Sequence, residues 1–106
     1  MKITTELLAE KRACAEGLAW FAARFPEGCE SEELLAALGA EQRGDWQVWV
    51  LETFRLSGLC ESFFETGKLA SRATWRAGRL DGLREIFYET GKLAWRENWR
   101  AGKLIE

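Results

Sequence analysis

The chain has 106 residues, 47% of them apolar, with 15 basic and 17 acidic side chains and a formal charge of −2. That length fits one compact domain with a single core, and the apolar content argues against a disordered chain. The charge balance lacks the positive excess of a nucleic-acid binder. The absence of histidine removes the usual general acid or base and the commonest zinc ligand.

Cys14, Cys29 and Cys60 are isolated and odd in number, with no CxxC spacing. That argues against a zinc site, and neither metal nor cofactor is expected. Free thiols and the lack of a signal peptide point to a reduced cytoplasm. No apolar run approaches the roughly 20 residues that span a bilayer.

Residues 1–57 read as three or four short helices. Thr5 is placed as the cap of the first. The next carries Cys14, Leu18, Phe21 and Phe25 at the spacing of one buried stripe, and Pro26 ends it. Ser31 is an N-cap for a third helix whose first turn holds Glu32 and Glu33, with Gly39 expected as its C-cap. Asp45 is read as the cap of a fourth segment, in which Trp46, Trp49, Val50 and Phe54 share a face. The run 48–51 fits a strand as well as a helix.

From Gly58 the pattern changes. Residues 58–81 recur as 82–105, with 16 of 24 positions identical, the mark of a stacked repeat. Thr66-Gly67, Ala77-Gly78, Thr90-Gly91 and Ala101-Gly102 separate runs rich in Phe, Trp, Leu and Arg. This predicts an antiparallel meander with strands near 59–65, 68–76, 79–89, 92–100 and 103–106. Two-residue turns pair Glu89 with Lys92, Tyr88 with Leu93, Ile86 with Trp95, Glu85 with Arg96, Arg84 with Glu97 and Gly82 with Trp99. Bulged type I turns are the alternative, because threonine disfavours positive φ. They would set Arg84 against Arg96, so the first register is preferred on charge.

Alternation puts Leu69, Trp75, Leu93, Trp95 and Trp99 on a core side, with the tryptophans internal. Lys68, Arg72, Arg76, Lys92, Arg96 and Arg100 fall on the other side, interleaved with Glu61, Glu65, Glu85 and Glu89. That second side is either a self-neutralising ladder or a charged binding face. Two copies are too few to close a core alone. The helical part is therefore expected to cap them, giving one composite α+β domain (helices over 1–57, repeats over 58–81 and 82–105). The final strand, with Lys103, Leu104 and Ile105, leaves an edge for strand pairing.

The motif Gly-x-x-x-x-Phe-(Phe/Tyr)-Glu-Thr-Gly-Lys-Leu-Ala-x-Arg-x-x-Trp-Arg-Ala-Gly-(Arg/Lys)-Leu resembles the MORN-repeat variant of bacterial YwqK-family antitoxins. The resemblance covers about 58–105, although that family usually has Asn before the turn glycine. It implies stacked β-hairpins and a role in binding proteins or, for some members, lipids. The expectation is a non-enzymatic interaction module of antitoxin, immunity or inhibitor type. Its partner would be a toxin, an effector or a defence component. A phage or mobile-element inhibitor of a host defence complex is an alternative, and a binder of anionic lipid or nucleic acid is another. Candidate partner-binding residues are Lys68, Arg72, Arg76, Lys92, Arg96, Arg100, Lys103, Leu104 and Ile105. A homodimer through the C-terminal edge is a further expectation.

Overall fold

The computed structural model describes residues 1–105; Glu106, placed in the last strand by the sequence, lies outside the described residues. The elements run β1 (Lys2–Ile3), α1 (Thr5–Glu10), α2 (Ala15–Arg24), β2 (Cys29–Glu30), α3 (Ser31–Ala40) and α4 (Gly44–Thr53). Then follow β3 (Gly58–Phe63), β4 (Leu69–Arg76), β5 (Arg79–Phe87), β6 (Leu93–Arg100) and β7 (Lys103–Leu104). The fold is α+β, with four helices before an antiparallel sheet in the order β3-β4-β5-β6-β7. Its contacts divide into two compact units, Met1–Leu34 and the chain from Leu35 onward.

In the first unit, β1 and β2 form a two-residue antiparallel ladder that the helical reading of this region did not anticipate. Ile3, Leu8, Phe21 and Cys29 are buried, and the Phe21 and Phe25 rings lie 5.4 Å apart. The cap of α1 is Thr4 rather than Thr5, its hydroxyl accepting from the Leu7 amide at 3.1 Å. Cys14 is exposed and does not join the Phe21 stripe. It stands at the N-cap of α2, where its sulfur accepts from the Gly17 amide.

Helices α1, α3 and α4 end in left-handed residues that are not glycine: Arg12 (φ 64°), Gln42 (φ 61°) and Arg55 (φ 51°). Each closes the paired bonds of a Schellman motif. For α3 the Gln42 amide bonds the Gly39 carbonyl at 3.2 Å, and the Arg43 amide bonds the Leu38 carbonyl at 2.9 Å. Gly39 therefore lies inside α3 and is not its cap. A Cβ there would stand 2.3 Å from the Glu61 carbonyl oxygen, so the glycine lets α3 meet the backbone of β3.

Residues 48–51 are helical. Asp45 sits in the first turn of α4, not at its N-cap, and bonds Arg43. The buried face of α4 is Gln47, Val50 and Leu51 rather than the Trp46–Trp49 face. Trp46 instead lies under the Arg43 guanidinium, 3.5 Å from its ring centroid, a cation–π contact. Leu51 packs with Cys60 and Trp75 in a buried cluster that Leu35, Leu56, Ala73 and Leu80 surround. Burial of this kind contributes roughly 1.5–3 kcal/mol for a large apolar side chain. Gln47, 4% exposed, donates to the carbonyls of Leu35 at 2.8 Å and Glu61 at 3.0 Å. The β3 edge is thus met by the helices at Glu61, whose carbonyl is satisfied.

The two kinds of hairpin turn differ for a steric reason. Ala77-Gly78 and Ala101-Gly102 have positive φ at both residues, at 49° and 82° and at 49° and 83°, as a type I′ turn requires. In Thr66-Gly67 and Thr90-Gly91 only the glycine is left-handed. The Gly91 amide bonds the Tyr88 carbonyl, and the Tyr88 amide bonds Lys92, each at 2.9 Å. This is the bulged type I form, because a β-branched residue resists positive φ.

The bulged turns do not shift the whole register. A second irregularity follows in each hairpin, at Ser62/Phe63 and at Ile86/Phe87. There Ala70 and Ala94 are the extra residues between paired neighbours, and the two offsets cancel. Gly82 opposite Trp99, Arg84 opposite Glu97, Glu85 opposite Arg96 and Ile86 opposite Trp95 all hold. The expected Tyr88–Leu93 and Glu89–Lys92 pairs do not form. Leu93 pairs with Phe87, which moves it to the Glu85 side of the sheet and away from Trp95.

Candidate functional site

The positions proposed from sequence are scattered by the sheet into separate places. Glu61, Arg72, Glu85 and Arg96 form one row across β3 to β6, on the side opposite α4. Arg72 bonds Glu61 at 3.1 Å and Arg96 bonds Glu85 at 3.0 Å, so this row is a ladder of ion pairs. Lys68 and Lys92 close the Thr-Gly turns at one end of the sheet. Arg76 stands opposite Arg79, and Arg100 opposite Lys103, beside the Ala-Gly turns at the other end. Leu104 lies in β7 opposite Trp99, and Ile105 follows it; both are about half exposed.

The side of the sheet that faces α4 is different. Eight positions distinguish the two repeats, and four of them fall on this side. The first repeat has Cys60, Ser62, Ser71 and Ala73 there. The second has Arg84, Ile86, Trp95 and Glu97. Small residues stand under α4, where Leu51 descends onto Cys60 and Trp75, and Ser62 bonds Ser71 at 2.5 Å. Large ones stand beyond it. Side chains from α4 and from both repeats line an open groove of about 1070 Å³, among them Val48, Glu52, Trp75, Arg84, Glu97 and Trp99.

Glu97 organises this surface. It accepts from the Trp95 indole at 2.7 Å, the Trp99 indole at 3.0 Å and Arg84 at 2.9 Å. These donors hold its carboxyl below the usual range, with the Trp95 indole contributing most, then Trp99 and Arg84. Trp95 is nonetheless 57% exposed, which corrects the expectation of an internal ring at that position, whereas Trp75 is buried as expected. The exposure follows from α4 ending its coverage at the first repeat. The sequence signal that could have found the site was present: the repeats diverge at Arg84, Ile86, Trp95 and Glu97 while their turns and strand scaffolds agree.

The thiols carry no comparable chemistry. Burial pushes Cys60 up to about 11, with Glu61 adding to it. Burial likewise raises Cys29, beside Glu33 and Glu30. Among the described residues, no group of three or more Cys, Asp or Glu side chains is placed to hold a metal ion. No helix among the described residues is long and apolar enough to cross a membrane.

Helices followed by a sheet of tandem hairpins, with a groove on the helix side, define the class: an α+β protein that presents a repeat-built surface. The chain belongs to the YdhT N-terminal domain family, which matches residues 1–56, just over half of the sequence. No curated protein and no solved structure matches it.

Proposed function

We propose that the protein is a non-enzymatic interaction module of the antitoxin, immunity or inhibitor type, acting in the cytoplasm on a partner protein. The observation that carries this reading is the divergence of the second repeat on the groove side, where Arg84, Ile86, Trp95 and Glu97 replace small residues. Tryptophan and arginine dominate the energetics of protein interfaces, and here Glu97 fixes both before any partner arrives. The MORN-variant motif over 58–105 supports the same reading through its resemblance to YwqK-type antitoxins. The lack of histidine and the raised thiols of Cys29 and Cys60 weigh against nucleophilic chemistry. Pairing of Arg72 and Arg96 with glutamates weighs against anion binding through that row. Self-association through the β6–β7 edge is a narrower form of the proposal, since among the described residues the last strand and Ile105 cover β6 no further than Asn98 to Arg100.

The test is affinity capture of the full chain followed by mass spectrometry and reconstitution. One partner binding at fixed stoichiometry, and losing affinity at least tenfold to Trp95→Ala, is expected. Capture of no protein at all, or of RNA or lipid with a steep salt dependence, overturns the reading.

A further inference from the structure

The geometry points to an α-helix, supplied by the partner protein, as the occupant of the groove over the second repeat. This inference rests on the interaction reading above and narrows it to one binding mode. It begins from the internal repeat. Over the first repeat the sheet already carries a helix, α4, whose Leu51 packs on Cys60 and Trp75. The equivalent positions of the second repeat are Arg84 and Trp99, and these line the groove. Successive repeats are displaced by two strands, roughly 9.6 Å at about 4.8 Å per strand. Helices pack side by side at about 8–10 Å. A helix placed on the second repeat as α4 is placed on the first would therefore also touch the flank of α4.

That flank is built as a helix-packing stripe. Asp45, Val48 and Glu52 all line the groove, at the i, i+3 and i+7 positions of one helical face. Val48 is 40% exposed. Arg79 and Lys103, beside the Ala-Gly turns, also line the groove. The side chains of the second repeat also explain why a copy of α4 itself does not fit. Glu97 stands where the first repeat has Ala73, and Arg84 where it has Cys60. The fitting helix is amphipathic, with an apolar stripe against Val48 and Trp99 in the groove and against Trp95 beside it, whose indole bonds the groove residue Glu97. It carries basic residues toward Asp45 and Glu52, and acidic residues toward Arg79 and Lys103. A strand added to the sheet edge would leave the groove empty and make none of these contacts.

The experiment pans two display libraries of 16-residue peptides on the full-length protein. One is patterned with apolar residues at i, i+3, i+4 and i+7, the other with strict alternation. Enrichment of helix-patterned peptides is expected, with affinity reduced at least tenfold by Trp95→Ala and by Val48→Glu. Arg72→Glu, on the far side of the sheet, should leave it unchanged. Both variants alter exposed side chains, Val48 in the groove and Trp95 beside it, and circular dichroism verifies their fold. Selection of strand-patterned peptides alone, of none, or of helices indifferent to both variants overturns the inference. Its failure is separable from that of the wider reading. A captured partner that binds Trp95→Ala weakly but Val48→Glu normally sinks the helix mode and leaves the interaction module standing. A protein that captures no partner and selects no peptide loses both.

Discussion

Residues 77 and 101 hold alanine in a backbone region that suits glycine or asparagine, at a cost of about 1–2 kcal/mol for each L side chain. Ala77→Asn and Ala101→Asn should each raise stability by roughly 0.5–1 kcal/mol in urea titrations. Thr90→Asn should change little, because Thr90 already has negative φ. Equal gains at all three sites would contradict the two turn types. Glu97 offers a second check at this scale. Its folded-state carboxyl titrates below its ordinary 4.5, so its contribution is present above that value and is lost as the pH falls through the depressed one. Tryptophan emission should shift below about pH 4.5 as Trp95 and Trp99 lose their acceptor, and Glu97→Gln should abolish that step.

At the level of elements, one contact decides how the helices hold the sheet. Gln47→Leu removes the donor to the carbonyls of Leu35 and Glu61, and stability should fall by about 1–3 kcal/mol for each buried group left unpaired. Gly39→Ala forces a Cβ against the Glu61 carbonyl, and should cost about 1–3 kcal/mol by overpacking. Gly44→Ala, where a Cβ meets nothing within 4 Å, should be neutral or stabilising. Chemical denaturation of the three variants gives the signs. The strands were legible because glycine pairs punctuate them and the repeat doubles the signal. The helix ends were not: Arg12, Gln42 and Arg55 close motifs in which glycine is the usual marker. The cancelling bulges at Ala70 and Ala94 were equally hidden, since alanine carries no bulge signal and the flanking alternation reads as regular. Charge pairing reached the right middle register because Arg84 and Glu97 lie beyond both offsets.

For the whole molecule, burial sorts the thiols. At pH 8 an alkylating reagent should modify Cys14 readily, while Cys29 and Cys60 resist until the chain unfolds; peptide mass spectrometry reads the result. Cys60 keeps its proton to about 11 when folded, against an ordinary 9.0. Its share of stability is complete below pH 9 and is lost as the pH rises from there. The candidate site was only partly legible in the sequence. Arg72 and Arg96 drew notice as a basic row, yet the glutamates that neutralise them lie on adjacent strands and matter only once the register is known. Trp95 read as core, because alternation shows which residues share a side but not where a covering helix stops. The self-correcting hairpins have a practical consequence. Every 24 residues the chain returns to the same side of the sheet, because the offsets of the Thr-Gly hairpins cancel and the shift between β4 and β5 is an even two residues, so the unit is a cassette that gene duplication or a cloner can copy whole. An inserted third cassette should widen the sheet by two strands and add a fresh landing strip, whereas an insertion of 23 or 25 residues would turn the new strands inside out.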